Sequence, residues 1–436
     1  MRRSAVGGAL VSVAVGLVSP PAGAQPTLTA RIDGPVRAVL SEPDIAVNPI
    51  DPREVIVVSK DITARGEPAL DAFRSSDGGA SFTGGRLVAG SYLGARADAS
   101  DPVVVFDRAG TAFFGQLVWR YPGTGFESLI AVQRSHDGGA TFASPTTVVR
   151  SFNRRTPIDF GGPPDPSVTH DKEWLAVDRT GGPRDGTVYA AWVRIHIARG
   201  RQHNRIMVAR SVNEGASFSR PRVVSRAGRL AVGPQIAVQP DGTVQLAWAS
   251  FRRAPTERWA TVLSARSTEG GTSFSAPRRV ARFRSSRAAE VLVALDASSS
   301  GRLLACWSRA RGRRSSQTVC ARSRDGRRWS RPVVVAPRLG GAHRLVAVAA
   351  DRPRRFWVSF YATTGPRTTV RLYRSRDHGR HFALASVLAT RRSAFGFVGD
   401  YSGLEVASGR VYAAYALPRG GRGTPNAIYV TSLPAN

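Results

Sequence analysis

Arg74-Ser-Ser-Asp-Gly-Gly-Ala-Ser-Phe82 is a nine-residue phrase that returns five more times along the chain. The copies are Arg134-Ser-His-Asp-Gly-Gly-Ala-Thr-Phe142, Arg210-Ser-Val-Asn-Glu-Gly-Ala-Ser-Phe218, Arg266-Ser-Thr-Glu-Gly-Gly-Thr-Ser-Phe274, Arg322-Ser-Arg-Asp-Gly-Arg-Arg-Trp329 and Arg374-Ser-Arg-Asp-His-Gly-Arg-His-Phe382. The residue two after the Ser falls at Asp77, Asp137, Asn213, Glu269, Asp325 and Asp377, a period of 52 to 76 residues. A fixed period of this size marks a repeat architecture, and it suits four short strands with their loops. Gly supplies the positive φ of a tight turn, and the Ser and Asp side chains bond nearby backbone N–H groups. The phrase is therefore read as scaffold.

Around each copy lie short apolar runs rich in β-branched and aromatic residues, with Gly, Pro and Asp between them. The first strand of each unit is read at Ile45–Val47, Val103–Phe106, Leu175–Val177, Ile236–Val238, Leu292–Leu295 and Leu345–Val348. Longer strands follow, as in Gly186–Trp192 and Gly242–Trp248, then a third such as Ile206–Ala209 and a short fourth such as Pro221–Val224. A seventh unit, Asp400–Val406, Arg410–Tyr415 and Ala427–Thr431, has neither a boxed phrase nor a fourth strand. The spare strand Thr27–Ile32 supplies the missing one, which closes a ring and removes its free edge. The expected fold is all-β: a propeller of four-stranded blades, seven favoured and six the alternative. Residues 25–436 form one domain on this reading.

The pattern Ser-x-Asp-x-Gly-x-x-Phe/Trp resembles the Asp-box, or BNR repeat, of the sialidase superfamily, and its six copies span Ser75 to Phe382. The likeness implies a sialidase-like propeller with its boxes on the rim away from the ligand pocket. It implies a glycan as ligand or substrate, and a glycoside hydrolase of exo-α-sialidase type as the candidate activity. Such an enzyme uses a Tyr nucleophile, an activating Glu, an Asp acid/base and an arginine triad that grips a carboxylate. The family's Phe/Tyr-Arg-Ile-Pro motif is missing here. A non-catalytic propeller binding glycans or a protein at the cell surface is the alternative.

Composition bounds the rest. The chain has 436 residues, 42% hydrophobic and 21% charged, a globular balance. Met1-Arg2-Arg3, the apolar stretch Ala5–Val18 and Ala22-Gly23-Ala24 read as a signal peptide over residues 1–24, so the protein is expected outside the cell. The net charge is +31, and all but two of the 62 basic residues are Arg; the exceptions are Lys60 and Lys172. Because the arginines run through the whole chain, the excess is read as compositional drift over a polyanion site, with no specific nucleic-acid partner. No apolar run spans a membrane, and a monomer is expected. The only two cysteines, Cys306 and Cys320, lie in consecutive antiparallel strands symmetric about Arg313, hence opposite each other on one face. An oxidising location then makes them a disulfide.

Chemistry is sought where the first strand of each unit begins. Glu42-Pro-Asp44, Asp101-Pro102, Asp171-Lys-Glu-Trp174 and Gly399-Asp400-Tyr401 all place acids there; units four, five and six offer Gln235, Glu290 and His343. Asp44, Asp101, Asp171, Glu173, Asp400 and Tyr401 are the candidate catalytic residues, expected to line one mouth, with Glu405 near Tyr401. No cofactor is implied, although clustered carboxylates suit Ca²⁺. The seven His show no metal-ligand spacing. The Pro/Gly-rich segment Thr156–Lys172 is a candidate lid.

Overall fold

The computed structural model describes residues 26–33, 38–62, 70–86, 97–120, 125–154, 167–226, 229–252, 258–285, 292–392, 397–420 and 424–436. The signal peptide, Glu290 and residues 156–166 of the lid segment lie outside them. The described residues contain no helix and form seven four-stranded antiparallel sheets, the blades of a propeller. The inner strands are Leu40–Val47, Ala97–Phe106, Ser167–Val177, Leu230–Val238, Val293–Ala297, Ala342–Arg352 and Gly403–Ala407, and each packs beside the next around a closed ring. Blade seven is completed by the first strand of the chain: Leu28–Ile32 pairs antiparallel with Asn426–Pro434, Ala30 facing Val430.

Apolar residues on both faces of each second strand pack against the blades on either side. Thus Ile56 and Val58 of blade one meet Phe106, Phe114 and Val118 of blade two. Trp192, Trp248, Trp307 and Trp357 sit in the second strands of blades three to six, each at most 1% exposed. Cys306 faces Cys320 across the second and third strands of blade five, and the two are disulfide-bonded.

The boxed loops join third strands to fourth strands. In the first, the Ser75 hydroxyl accepts the Gly79 N–H at 2.8 Å, and Asp77 accepts the N–H groups of Ala80 and Ser81 at 3.0 and 2.9 Å. Burial alone would raise the Asp77 pKa, but the bonds from Ser81, Ser75 and Ala80 outweigh it and hold the group at about 2. Asp137 and Asp377 are held at about 2 in the same way. Asn213 accepts the Ser217 N–H, Glu269 reaches the Ser273 hydroxyl, and Asp325 accepts Arg327 and Arg328. The altered copies thus close the same turn with other atoms.

The inner strands of blades one, two, three, four and six begin earlier than the apolar runs suggest. Five are broken by a bulge, between Ser41 and Asp44, Ser100 and Val103, Asp171 and Trp174, Val232 and Gln235, and Arg344 and Ala347. The first bulged residue is left-handed in every case: Glu42 (φ 52°), Asp101 (54°), Lys172 (52°), Gly233 (52°) and Leu345 (52°). An extra residue interrupts the alternation and re-aims a side chain. The acids expected in front of the strands of blades one to three therefore sit inside them, at or beside the kink, whereas Asp400 stays in front of Gly403–Ala407.

Candidate active site at the channel mouth

Three successive bulges put Glu42, Asp101 and Lys172 side by side at one mouth of the central channel. The Lys172 ammonium lies 2.6 Å from Asp101 Oδ1, 3.0 Å from Asp400 Oδ2 and 3.6 Å from Glu42 Oε1. It also stands 5.0 Å from the centre of the Tyr401 ring. Four blades thus send a charged group to one point. Glu42 and Asp101 are each 4% exposed, Lys172 13%, whereas Asp400 stands 44% exposed at the rim. The second lysine of the chain joins the same network: Lys60 Nζ donates to Ser100 Oγ at 2.9 Å, and Ser100 Oγ donates to Glu42 Oε2 at 3.5 Å. In a protein whose other basic residues are all Arg, both lysines serve one cluster.

Burial and mutual repulsion set the protonation of these acids. Burial pushes the Glu42 carboxyl up to about 7 against the pull of Lys172, with Asp101 raising it further. Burial also raises Asp171 to about 7, with Asp101, Asp400 and Glu42 adding to it and Lys172 opposing. Glu173, fully buried beside Asp101, is raised well above the usual carboxylate range, and neither of its oxygens has a hydrogen-bond partner. Lys172 moves up in spite of its burial, because Asp101, Glu42 and Asp400 surround it. The mouth thus holds proton-bearing carboxyls beside a fixed cation, a setting in which one carboxyl can give a proton while another stays ionised.

Among the candidate residues, Asp101, Asp171, Glu173, Asp400 and Tyr401 come together here. Tyr401 stands there as a wall: its hydroxyl donates to the Pro102 carbonyl at 2.9 Å and its ring meets Trp174 edge-on. Burial, then the charges of Glu42 and Asp101, push its pKa well above the usual value. Asp44 does not join the cluster. It lies just past its bulge, and its Oδ2 accepts the Val104 N–H of the next blade at 2.9 Å. Gln235, at the matching position of blade four, accepts Leu295 N–H in the same way at 3.3 Å. This position ties neighbouring blades together. His343 is also a scaffold residue, fully buried, stacked on Phe360 and accepting the Thr318 N–H through Nδ1. Glu405 lies deeper, 3.5 Å from Arg179, in a lower cavity of about 650 Å³ that also holds Asp44 and Asp296. Missed in the sequence were Lys172 and Glu42 as partners; the scarcity of lysine was the available signal.

Beside the cluster, Trp174, Gln235, Leu345, Asp400 and Tyr401 frame a narrow cleft of about 30 Å³. No arginine is among the described residues lining it. Among the described residues, no group of three or more His, Cys, Asp or Glu is placed to hold a metal ion.

No family profile matches the chain, and no curated protein matches it in sequence. Solved structures do match in shape. An ulvan lyase, a polysaccharide lyase, aligns with a TM-score of 0.57 at 11% identity over 92% of this chain and 95% of its own. An α-L-arabinanase of Penicillium chrysogenum complexed with arabinobiose aligns at 0.53 and 10% identity, over 94% and 98%. A protein of unknown function from Dyadobacter fermentans aligns at 0.52 and 14% identity, again over 94% and 98%. At these identities the likeness shows a shared propeller fold.

Proposed function

We propose that this protein is an exported, glycan-acting propeller that hydrolyses glycosidic bonds at the Lys172 mouth. One observation carries the reading: carboxylates from blades one, two and seven converge on a lysine of blade three, and Glu42 and the neighbouring Asp171 are raised to about 7 there. Asp171, partly exposed and with a pKa of about 7, gives its proton to the leaving glycosidic oxygen as the C–O bond breaks. Asp400, half-exposed and paired with Lys172, takes a proton from the water that attacks the sugar carbon. Supporting the glycan class, the ulvan lyase and the arabinanase that share the fold both act on polysaccharides by their names. The leader-like residues 1–24 support export.

Two carboxylates are favoured over exo-α-sialidase chemistry. That chemistry needs a free tyrosine hydroxyl and arginines around a substrate carboxylate. Here the Tyr401 hydroxyl is committed to Pro102, and the described cleft has no arginine. A binding propeller is the second reading, favoured by the small cleft and by the salt bridges that already neutralise the acids.

The test is release of reducing ends from a panel of polysaccharides and aryl glycosides. Asp171→Asn and Asp400→Asn should each lower turnover by about 10²–10⁴-fold. Full activity in Asp400→Asn would reject the mechanism. Saturable glycan binding without turnover by the wild type would establish the binding reading instead.

A further inference from the structure

A cavity far roomier than the cleft lies beside the mouth. Between blades three and four, on the face that carries the mouth, a groove of about 600 Å³ is lined by Arg226, Arg229, Arg252, Arg258, Arg279 and Arg282. A second cavity of about 580 Å³, lined by Arg201 and Arg205, adjoins it through Arg229 and Arg252. No acid is among the described lining residues of either. Chain-wide arginine drift explains many exposed guanidiniums, a few of which find carboxylates, as Arg74 does with Glu54, Arg108 with Asp185 and Arg120 with Glu127. In the groove, Arg226, Arg258, Arg279 and Arg282 form no ion pair with a described carboxylate. What sets the groove apart is its shape: six guanidiniums line one concave place.

The groove is built by strand register. Ser250 faces Thr261 and Thr261 faces Arg282, while Leu263 faces Arg279 one row down. Arg229 is fixed by Ser250 Oγ at 3.0 Å, and the Arg282 guanidinium lies 4.6 Å over the half-exposed Trp259 ring. The groove runs towards the mouth, because Ala231 lines it and Gly233, two residues along the same inner strand, lines the cleft.

We infer that this groove is a subsite for an anionic polysaccharide, gripping sulfate or uronate groups of a chain whose neighbouring sugars lie over the mouth. The planar guanidinium fork matches such oxyanions, and a cleft of one sign concentrates the field. Nucleic acid is the poorer fit. Single strands bind on successive aromatic platforms, whereas Trp259 is the one partly exposed aromatic among the described lining residues. The glycan half of the inference rests on the function proposed above; the anion half does not.

The probes are dextran sulfate, polygalacturonate, uncharged dextran and a 20-mer of deoxythymidine, each titrated by calorimetry at physiological salt. The triple variant Arg258→Gln/Arg279→Gln/Arg282→Gln is compared with Arg311→Gln/Arg313→Gln/Arg314→Gln, which removes the same charge from an exposed turn of blade five. Wild type should bind the sulfated or the uronate polymer, the stronger one naming the anion, and should ignore dextran. The groove triple should bind about 30-fold more weakly, and the control triple within about 3-fold of wild type. If the groove triple melts early, Arg279→Gln alone should still weaken binding while the control does not. Equal loss in both triples, equal affinity for dextran, or tighter groove-dependent binding of the oligonucleotide would each overturn the inference. The titrations read binding and the reducing-end assay reads turnover, so a failed hydrolysis assay and a failed subsite are told apart.

Discussion

Replacing Lys172 by Met tests how the mouth is held together. The methylene stem is kept and only the ammonium goes. Asp101 and Glu42 then remain buried at the mouth without the cation that neutralised them, while Asp400, at 44% exposed, regains water. Breaking a buried ion pair by removing one partner costs about 3–5 kcal/mol. Unfolding entropy scales with length, so for a chain of this size the loss should appear as a fall in melting temperature of about 5 °C. The pH dependence is diagnostic. At pH 8 Glu42 and Asp171, whose pKa values lie near 7, are mostly ionised and the loss is full; at pH 4.5 they carry protons and there is less charge to strand. The loss should shrink by roughly half there. Calorimetric melting of wild type and Lys172→Met at both pH values decides the matter. An equal loss at both, or none at pH 8, would refute a charge-based role for Lys172.

Glu173→Gln should raise the melting point at pH 8 by the equivalent of about 1–2 kcal/mol and leave it unchanged at pH 4, since the buried carboxyl is kept neutral by the fold; a loss at pH 8 contradicts that. The wild type should itself lose stability between about pH 4 and 7. Glu42, Asp44, Asp171 and Asp296, all raised to about 7, keep their protons in the fold while the unfolded chain gives them up. A melting temperature that climbs steadily from pH 5 to 7.5 would show that other groups dominate. Changing Cys306 and Cys320 together to Ala should cost about 3 kcal/mol in the chain-entropy picture for a separation of 14 residues. Denaturant midpoints matching the wild type would assign the pair no stabilising role.

The repeats were legible because they are local. Ser75, Asp77 and Gly79 close their turn with bonds inside nine residues, so six spaced copies announce six units whatever surrounds them. The seventh blade was legible through its deficit, a unit one strand short beside a strand without a unit. The mouth was legible only in outline. A bulge adds one residue and breaks the alternation that reveals a strand, so the apolar runs seemed to start at Ile45 and Val103 when the strands had begun at Leu40 and Ala97. With the kink unseen, Glu42 and Asp44 looked equivalent, though one reaches the mouth and the other bonds the next blade. The role of Lys172 depends on partners 71 and more residues away in sequence, which no local pattern carries. The groove arginines were hidden by their own abundance.

The union of the first and last strands sets the order of events in making this molecule. Thr29 touches Thr431 across 402 positions, so the earliest-made strand waits for the latest-made one. Closing a loop that long adds little entropy beyond a shorter one, since the cost grows only with the logarithm of length, but it cannot happen before Asn426–Pro434 has been made. Until then the nascent chain is an open arc with an unpaired sheet edge, the state in which strand-to-strand association with another chain is most open to it. In this ring the latch is fitted last.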